Sequence, residues 1–221
     1  MTVAAGARLG PYEVLAPLLD FGMRGALTLL ACSILAVALP ACRTKEDKPD
    51  IPRLMIELRG SDPQASGQAR LMLLQLGEPA VPALAELLRS GTPADRIAAA
   101  NLLWGMGQRA RAAVPELAAT LADPDPGLRV AVAMALQNMG AVAAPAVPAL
   151  TKAISDRDLS VRQTAVKALG AIGPSARAAL PALTRVLRRG SWPEAEEAVR
   201  RIRGLEPGAL VELGPAEPEQ P

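Results

Sequence analysis

Two consecutive stretches of equal length decide the fold of this chain: DPDPGLRVAVAMALQNMGAVAAPAVPALTKAIS (residues 123–155) and DRDLSVRQTAVKALGAIGPSARAALPALTRVLR (residues 156–188). They align without a gap, and the same Asp, Arg, Gly and Pro positions recur in both with a period of 33 residues. A fixed period of this length is the signature of a repeat architecture, in which each unit buries its apolar face against its neighbours. The chain is therefore expected to fold as an array of short, similar units.

The period continues on both sides of these two stretches. Towards the N-terminus the proline recurs at Pro115 and, after a turn that is three residues shorter, at Pro82. Pro52 marks a partial first unit, and residues 198–207 repeat the pattern beyond the second stretch. We therefore expect about four to five units in one repeat domain that spans residues 53–207.

Each unit is predicted to consist of two helices. The first, helix A, begins after a capping Asp and ends at a Gly, as from Asp125 to Gly140. The second, helix B, opens with a proline, which suits a first helical turn because its missing N–H is not needed there. Apolar residues recur at helical spacing in both helices, and Leu136 occupies a slot that is also leucine at Leu103 and Leu169. The prediction is an all-α solenoid with Leu136 in its core.

The recurring motifs resemble those of HEAT-like repeats. They are D-x-x-x-R at the start of helix A, A-L-x-x-[IM]-G at its end and [VL]-P-A-L at the start of helix B. The resemblance is strongest to the short repeat type first described in phycobilisome lyases, and it covers residues 50–207 or nearly so. It implies an α-solenoid but not a particular activity, because such solenoids serve many unrelated purposes.

The recurring Arg and Asp positions have two interpretations. The HEAT-like resemblance implies a structural ladder between adjacent repeats, made of these residues: Arg96, Asp125, Arg129, Asp158 and Arg162. Guanidinium–carboxylate pairs with two parallel hydrogen bonds suit such positions. The alternative is a stripe of arginines that binds a ligand. Asp125 and Asp158 also stand where helix A begins, and there an Asp side chain typically caps the helix.

Two features of the repeats are candidates for binding a partner. Trp104 falls in a slot that is Gln or Gly in later units, which indicates partial exposure, and Trp is a favoured interface anchor. Packing over a neighbouring turn is the alternative. Near the C-terminus the chain is dense in arginines, including Arg185, Arg188 and Arg189. This group is suited to an acidic partner or to anionic lipid head groups, and a mixed-charge helical cap is the alternative.

Residue types that many chemistries need are missing from the sequence. It contains no histidine, and its two cysteines, Cys32 and Cys42, lie in or beside one apolar run. There is no Cys/His set for zinc, no phosphate-binding glycine-rich loop and no cluster of carboxylates on one face. We therefore expect no catalytic residues, no metal and no cofactor. A net charge of +2 is too small to favour nucleic acid as a partner.

The apolar run predicts a signal peptide. A short positive region begins at Met23, and the apolar residues 26–38 that follow are too few to span a bilayer comfortably. The string Leu39-Pro40-Ala41-Cys42 resembles the lipobox of bacterial lipoproteins, although Pro is a less usual residue at its position. The resemblance implies that residues 23–41 are removed by cleavage between Ala41 and Cys42, and that Cys42 is lipidated. An uncleaved signal anchor is the alternative.

The remaining segments complete the predicted organisation. Residues 42–52 form a polar, lipid-anchored tether, and residues 208–221 form a Pro- and Glu-rich tail that is expected to be disordered. Residues 6–18 (GARLGPYEVLAPL) resemble the start of bacterial Ser/Thr kinase domains, but no other kinase motif follows. Residues 1–22 are therefore expected to be either an extension upstream of a true start at Met23 or the remnant of a gene fusion.

These expectations lead to a functional hypothesis. The chain is expected to be a non-catalytic, monomeric scaffold that binds a protein or peptide at the bacterial cell envelope. Arg43 stands after Cys42 where Asp would retain a lipoprotein at the inner membrane of Gram-negative bacteria, so the outer membrane is favoured. One alternative is a lyase-like or chaperone-like role toward a chromophore or its carrier protein, which needs a concave cavity with convergent polar groups. A cytoplasmic regulatory adaptor is the other, and it requires translation from Met1.

Overall fold

The computed structural model describes residues 50–206, 208, 209 and 211. The predicted signal peptide, the predicted lipidation site Cys42 and the extension at residues 1–22 lie outside this part of the chain, as do most of the predicted tether and most of the tail.

The described residues form two alternating series of α-helices, with no strand among them. The helices are α1 (Ile51–Arg59), α2 (Pro63–Leu76), α3 (Val81–Ser90), α4 (Pro93–Met106), α5 (Val114–Thr120), α6 (Pro126–Met139), α7 (Val147–Ala153), α8 (Leu159–Ile172), α9 (Leu180–Arg189) and α10 (Pro193–Arg203). The even-numbered helices are the A helices and the odd-numbered ones are the B helices. Short 3₁₀ segments join each A helix from α2 to α8 to the B helix that follows it: Glu78–Ala80, Gly107–Ala113, Gly140–Ala146 and Gly173–Ala179.

Neighbouring repeats stack through both series. Each A helix packs against the A helix of the next repeat, in an unbroken row from α2 to α10. In the other series α1 packs against α3, α3 against α5, and α5 against α7. Four complete helix pairs, flanked by the half-units α1 and α10, confirm the predicted all-α solenoid and its number of repeats.

The ends of the A helices follow the sequence pattern. The Asp125 and Asp158 side chains cap α6 and α8, and Thr92 forms a capping box with Asp95 at the start of α4. The helices α2, α4, α6 and α8 each end at a glycine whose φ lies between 55° and 69°. Glycine adopts this left-handed region without the clash that a Cβ would cause, so it ends the helix and turns the chain towards helix B.

The B helices begin as their prolines predict. In each complete pair the proline is the second residue of helix B: Pro82, Pro115, Pro148 and Pro181. The first turn of a helix leaves its N–H groups without intrahelical partners, so proline removes no hydrogen bond at this place.

A row of leucines forms the centre of the core. Leu73, Leu103, Leu136 and Leu169 occupy the same slot of successive A helices, and each is fully buried. Small residues allow the helices to approach closely: a Cβ added at Gly170 of α8 would lie 3.1 Å from the Cα of an alanine in α10. The many alanines and the leucine row together explain why the A helices pack in one continuous layer.

The boundaries of the repeat region differ slightly from the prediction. Helix α1 begins at Ile51 because Asp50 caps it by accepting a hydrogen bond from the backbone N–H of Arg53, and Pro52 lies in its first turn. The last two residues assigned to the tether therefore belong to the first helix. At the other end, α10 stops at Gly204, which has a φ of 69°.

Within the described residues, Pro126–Ala153 is long and apolar enough to cross a bilayer, with a mean hydropathy of 1.6. It comprises α6, the 3₁₀ segment after it and α7, which are a helix pair of the solenoid. Of its most apolar window, 44% is buried inside the protein. Its composition is that of a repeat whose neighbours cover it on both sides.

Candidate functional site

The most buried charged side chain of the described residues joins two repeats. Arg129 of α6 is only 3% exposed. Its Nε donates to Asp156 Oδ2 at 2.9 Å and its Nη2 donates to Asp156 Oδ1 at 2.7 Å. Its Nη1 donates to the carbonyl oxygens of Asp123 and Pro124 at 2.8 and 3.0 Å. All three nitrogens are therefore engaged, and the side chain connects the turn before α6 to the turn before α8.

The Arg129–Asp156 pair is the second rung of a ladder in chain order, and the first rung makes the same connection one unit earlier. Arg96 Nη2 lies 2.7 Å from Asp123 Oδ2, and Arg96 Nε donates to the carbonyl oxygen of Leu88 at 2.7 Å. The Arg96 side chain is 23% exposed, against 4% for Arg129 in the next rung. The two pairs have the same spacing along the chain, so they are successive rungs of one ladder.

The carboxylates of the ladder differ from those predicted. They belong to Asp123 and Asp156, each two residues before the predicted Asp125 and Asp158. Asp125 Oδ1 instead accepts from the backbone N–H of Gly127 at 2.9 Å, and Asp158 Oδ1 accepts from that of Val161 at 3.1 Å. Each of these two carboxylates is turned towards its own helix, and among the described residues neither forms an ion pair with the arginine of the repeat before. The sequence did contain the correct acids as candidates, because both aspartates of the D-x-D pattern at residues 123–125 recur 33 residues later, at residues 156–158.

The ion pair of the second rung shifts the pKa of both partners. The hydrogen bond to Asp156 raises the pKa of Arg129, although burial acts in the opposite direction. Burial alone would raise the pKa of Asp156, but hydrogen bonds from Arg129 and from the backbone N–H of Asp158 outweigh it, and the pKa is lowered. Both groups are thus held in their charged forms at neutral pH.

Trp104 lies outside the core, with 46% of its surface exposed. Its backbone carbonyl oxygen accepts a hydrogen bond from Asn138 Nδ2 in the next A helix, at 2.7 Å. Exposed apolar side chains also occur on the neighbouring A helices, at Leu71 of α2 (63%) and Met134 of α6 (44%). The residue after Leu71 (51%) and the first residue of α8 (54%) are exposed as well, so the described A-helix row presents large apolar side chains to solvent on four successive helices.

The C-terminal arginines lie on one face of α9. Arg185, Arg188 and Arg189 are exposed, at spacings that place them on the side opposite the buried Leu183 and Leu187. Neither α7 nor α9 contains an acidic residue. In α10, by contrast, two arginines pair with glutamates of the same helix. The mixed-charge helical cap is thus α10, whereas α9 is purely basic.

An open cleft lies beside the first rung. Its volume is about 360 Å³, and its lining includes Arg89, Arg96, Glu116 and Asp123. Three of these charges are paired, since Arg89 bonds Glu86 and Arg96 bonds Asp123. Glu116 Oε2 is buried without a hydrogen-bond partner in the described part of the chain. The cleft is thus bordered by a glutamate with one buried carboxylate oxygen that has no hydrogen-bond partner among the described residues.

A family model of HEAT repeats matches residues 81–146 and 114–202, which together exceed half of the chain. The chain is a HEAT repeat protein. The match agrees with the resemblance carried by the sequence motifs, and it covers the repeats from α3 to α10. No curated protein matches this HEAT repeat protein at a significant level.

Several solved structures share the fold of this HEAT repeat protein. One is the complex of CpcE and CpcF of phycocyanin lyase from Nostoc sp. PCC7120, with 22% identity, a TM-score of 0.53, and coverage of 69% of this chain and 97% of that chain. Another is a designed armadillo repeat protein in complex with the peptide (KR)4, with 19% identity, a TM-score of 0.52, and coverage of 68% and 79%. A further designed armadillo repeat protein is 18% identical, with a TM-score of 0.54 and coverage of 72% and 84%. At these identities the similarity establishes the fold alone.

Proposed function

We propose that this HEAT repeat protein is a non-catalytic scaffold that binds a protein or peptide partner. The observation that carries the proposal is that some of its arginines form ion pairs between repeats while others are exposed on one helix. The ion pairs Arg96–Asp123 and Arg129–Asp156 are used between repeats, whereas Arg185 and Arg189 of α9 are exposed and form no ion pair with a described residue. Support comes from two proteins of similar fold, one solved as a complex of two proteins and the other with a bound peptide.

Partner capture tests the scaffold function. The chain is crosslinked in native membranes and purified, and the proteins that copurify are compared with those that copurify with a chain whose repeats have been unfolded by substitution. A partner that is enriched only with the folded repeats would support the scaffold. Size measurement of the purified chain by light scattering tests the further expectation that it acts as a monomer.

Trp104→Ala is expected to weaken partner binding with little effect on folding. The half-exposed ring makes few core contacts, so the free energy of unfolding should change by no more than about 0.5 kcal/mol. As an interface anchor, the ring should contribute about 1 kcal/mol or more to the binding free energy. Thermal melting and the affinity for the captured partner are measured side by side. A loss of stability as large as that of a buried leucine would show that Trp104 belongs to the core.

We further propose that the scaffold is held at the cell envelope by a lipid on Cys42, most favourably at the outer membrane. The support is the string Leu39-Pro40-Ala41-Cys42 at the end of a short apolar run, followed by a polar tether. A single fatty chain gives only marginal membrane binding, and several chains on one cysteine anchor a protein stably. This arrangement would place the repeats close to the membrane surface, where a partner of the envelope is accessible.

Cys42→Ser is expected to abolish lipid labelling and to block cleavage after Ala41. The serine hydroxyl cannot replace the thiol that accepts the lipid in the lipoprotein family. Labelling with a radioactive or alkyne fatty acid, followed by mass analysis of the N-terminus, measures both effects. Cys32→Ser is the matched control and should leave labelling unchanged. If the unaltered chain takes up no fatty acid, it is instead a signal-anchored or an ordinary secreted protein, or the cytoplasmic adaptor if it also fractionates with the cytosol.

A lyase-like or chaperone-like role is the second candidate. The similarity to the phycocyanin lyase complex favours it, as does the cleft beside Arg96 with its unpaired Glu116 oxygen. The test is to incubate the chain with a bilin chromophore and an apo-phycobiliprotein subunit. Covalent attachment that depends on the chain, and that Glu116→Gln reduces, would favour the lyase over the scaffold.

A further inference from the structure

Among the described residues, the ladder contains three arginines but only two carboxylates. Arg129 pairs with the aspartate that lies 27 residues after it, and Arg96 pairs with its aspartate at the same spacing. The residue at this distance from Arg162 is Arg189, the last residue of α9. In the described part of the chain, no carboxylate forms an ion pair with Arg162.

Arg162 is nevertheless held in the manner of Arg129. Its Nη1 donates to the carbonyl oxygens of Asp156 and Arg157, at 2.9 and 3.2 Å, just as Arg129 Nη1 donates to two consecutive carbonyls one repeat earlier. In Arg129 the other two nitrogens then face a carboxylate in a bidentate pair. The planar guanidinium of Arg162 is therefore oriented by the chain while its Nε and Nη2 edge lacks this acceptor.

The ladder ends differently at its N-terminal side. One unit before the first rung, Ser66 stands at the position of the arginine and Ser90 at the position of the aspartate. Ser66 Oγ donates to the carbonyl oxygen of Leu58 at 3.1 Å, which is the contact that Arg96 makes with Leu88 one unit later. At the N-terminal end both the arginine and the aspartate are replaced by neutral residues, so neither leaves an unpaired charge. At the C-terminal end only the aspartate is replaced, and the oriented arginine, Arg162, is kept.

The two B helices nearest to Arg162 along the chain, α7 and α9, carry only basic charged side chains. Lys152, Arg185 and Arg189 are exposed, and none of them forms an ion pair with any described residue. The nearest acids along the chain are already engaged, since Asp156 pairs with Arg129 and Asp158 caps α8. An incoming carboxylate would therefore meet a positive field.

We propose that Arg162 binds a carboxylate supplied by an acidic peptide segment of the partner, which completes the third rung in trans. The inference rests on the proposed scaffold function and specifies the chemistry of its partner. The carboxylate accepts from Nε and Nη2 of Arg162, in the bidentate geometry of the second rung. In an extended peptide, alternate side chains are about 7 Å apart on one face, so further acids at that spacing reach the neighbouring basic side chains. The favoured ligand is thus a run of Asp or Glu residues.

Fluorescence anisotropy with labelled hexaglutamate tests the site in the full chain, kept in neutral detergent. Arg162→Gln is expected to raise the Kd by about tenfold or more, because a charge-assisted, bidentate pair is lost. Lys167→Gln removes the same charge from an exposed position of the same helix and should change the Kd by less than about twofold. Equal losses for the two variants would mean that only net charge attracts the probe, and the assignment to Arg162 would be overturned.

Arg189→Asp provides a second test, and one of its two readouts, the melting temperature, needs no ligand. It places an acid 27 residues after Arg162 and so should close the rung within the chain. The melting temperature is expected to rise by about 2–4 °C, and hexaglutamate binding should weaken by about tenfold or more. Arg189→Ser removes the charge without supplying a carboxylate, so it should weaken binding less and give no rise in melting temperature. Identical behaviour of the two variants would overturn the proposal.

Three further measurements distinguish an acidic peptide from other anions and separate this inference from the proposed scaffold function. Binding to phosphatidylglycerol vesicles but not to hexaglutamate would assign the basic surface to lipid. Tighter hexaglutamate binding after deletion of residues 212–221 would assign the site to the chain's own acidic tail. A captured partner whose affinity is unaffected by Arg162→Gln would overturn the inference and leave the scaffold intact. Hexaglutamate binding without any captured partner would uphold the site and count against the scaffold.

Discussion

Leu136→Ala is expected to lower the free energy of unfolding by about 2–5 kcal/mol. Leu136 is fully buried in α6, and α6 packs between α4 and α8, whose leucines occupy the same slot. An alanine there removes buried apolar surface and leaves a cavity that the neighbouring helices can fill only by shifting the stacked row. Because each repeat contacts mainly its neighbours, the loss falls on the stacking that holds the middle of the solenoid together.

Urea unfolding followed by circular dichroism measures this loss. Met134→Ala is the matched control, because it truncates a large apolar side chain two residues away in the same helix, where the side chain is 44% exposed. The control should change the free energy of unfolding by no more than about 0.5 kcal/mol. Comparable losses for the two variants would contradict the placement of the leucine row at the centre of the core.

The architecture was predictable because the same local rules recur in every unit. The aspartate at position 125 and the glycine at position 140 fix the two ends of α6, and Pro148 fixes the start of α7. Each of these residues acts through the backbone within its own turn, so sequence spacing alone determines its effect. The leucine slot was predictable for a similar reason, since residues one period apart experience equivalent surroundings.

The ladder was predictable only in part, because it depends on side-chain directions across repeats. The motif D-x-x-x-R draws attention to Asp125 and Arg129, which are neighbours on one helix. The carboxylate that reaches Arg129 comes from Asp156, in the next turn between repeats. Which acid of a D-x-D pair caps its helix and which one turns back to the preceding repeat is decided by the geometry of that turn. A linear motif does not contain this information.

Neither the repeat period nor the family resemblance predicted that the two ends of the ladder differ. A repeat alignment treats Arg162 as one more member of its row, although Arg189 replaces the acid opposite to it. The hydrogen bonds of Nη1 distinguish an oriented guanidinium from a freely solvated one. A departure from the repeat pattern therefore acquires a functional meaning only when the structure shows that the remaining partner keeps its orientation.

Asp156→Ala is expected to lower the free energy of unfolding by about 3–5 kcal/mol, because it leaves the buried guanidinium of Arg129 without its counter-ion. The matched control is Asp158→Ala, which removes an N-cap two residues later and should lower the free energy of unfolding by about 1 kcal/mol. The ranking of the two variants tests the assignment of the ladder directly. If Asp158 were the ladder acid, the larger loss would follow its substitution instead.

The pH dependence of the Asp156→Ala variant supplies a second readout. The folded-state pKa of Asp156 is lowered from its usual value of 3.8, so the unfolded chain takes up a proton more readily than the folded one. Its contribution to stability is therefore complete above the unfolded pKa and is lost as the pH falls through the lowered folded pKa. The difference between the unaltered chain and the variant should be constant near neutral pH and shrink below about pH 4. A difference that persisted at low pH would show that packing of the side chain, and not its charge, stabilises the junction between α6 and α8.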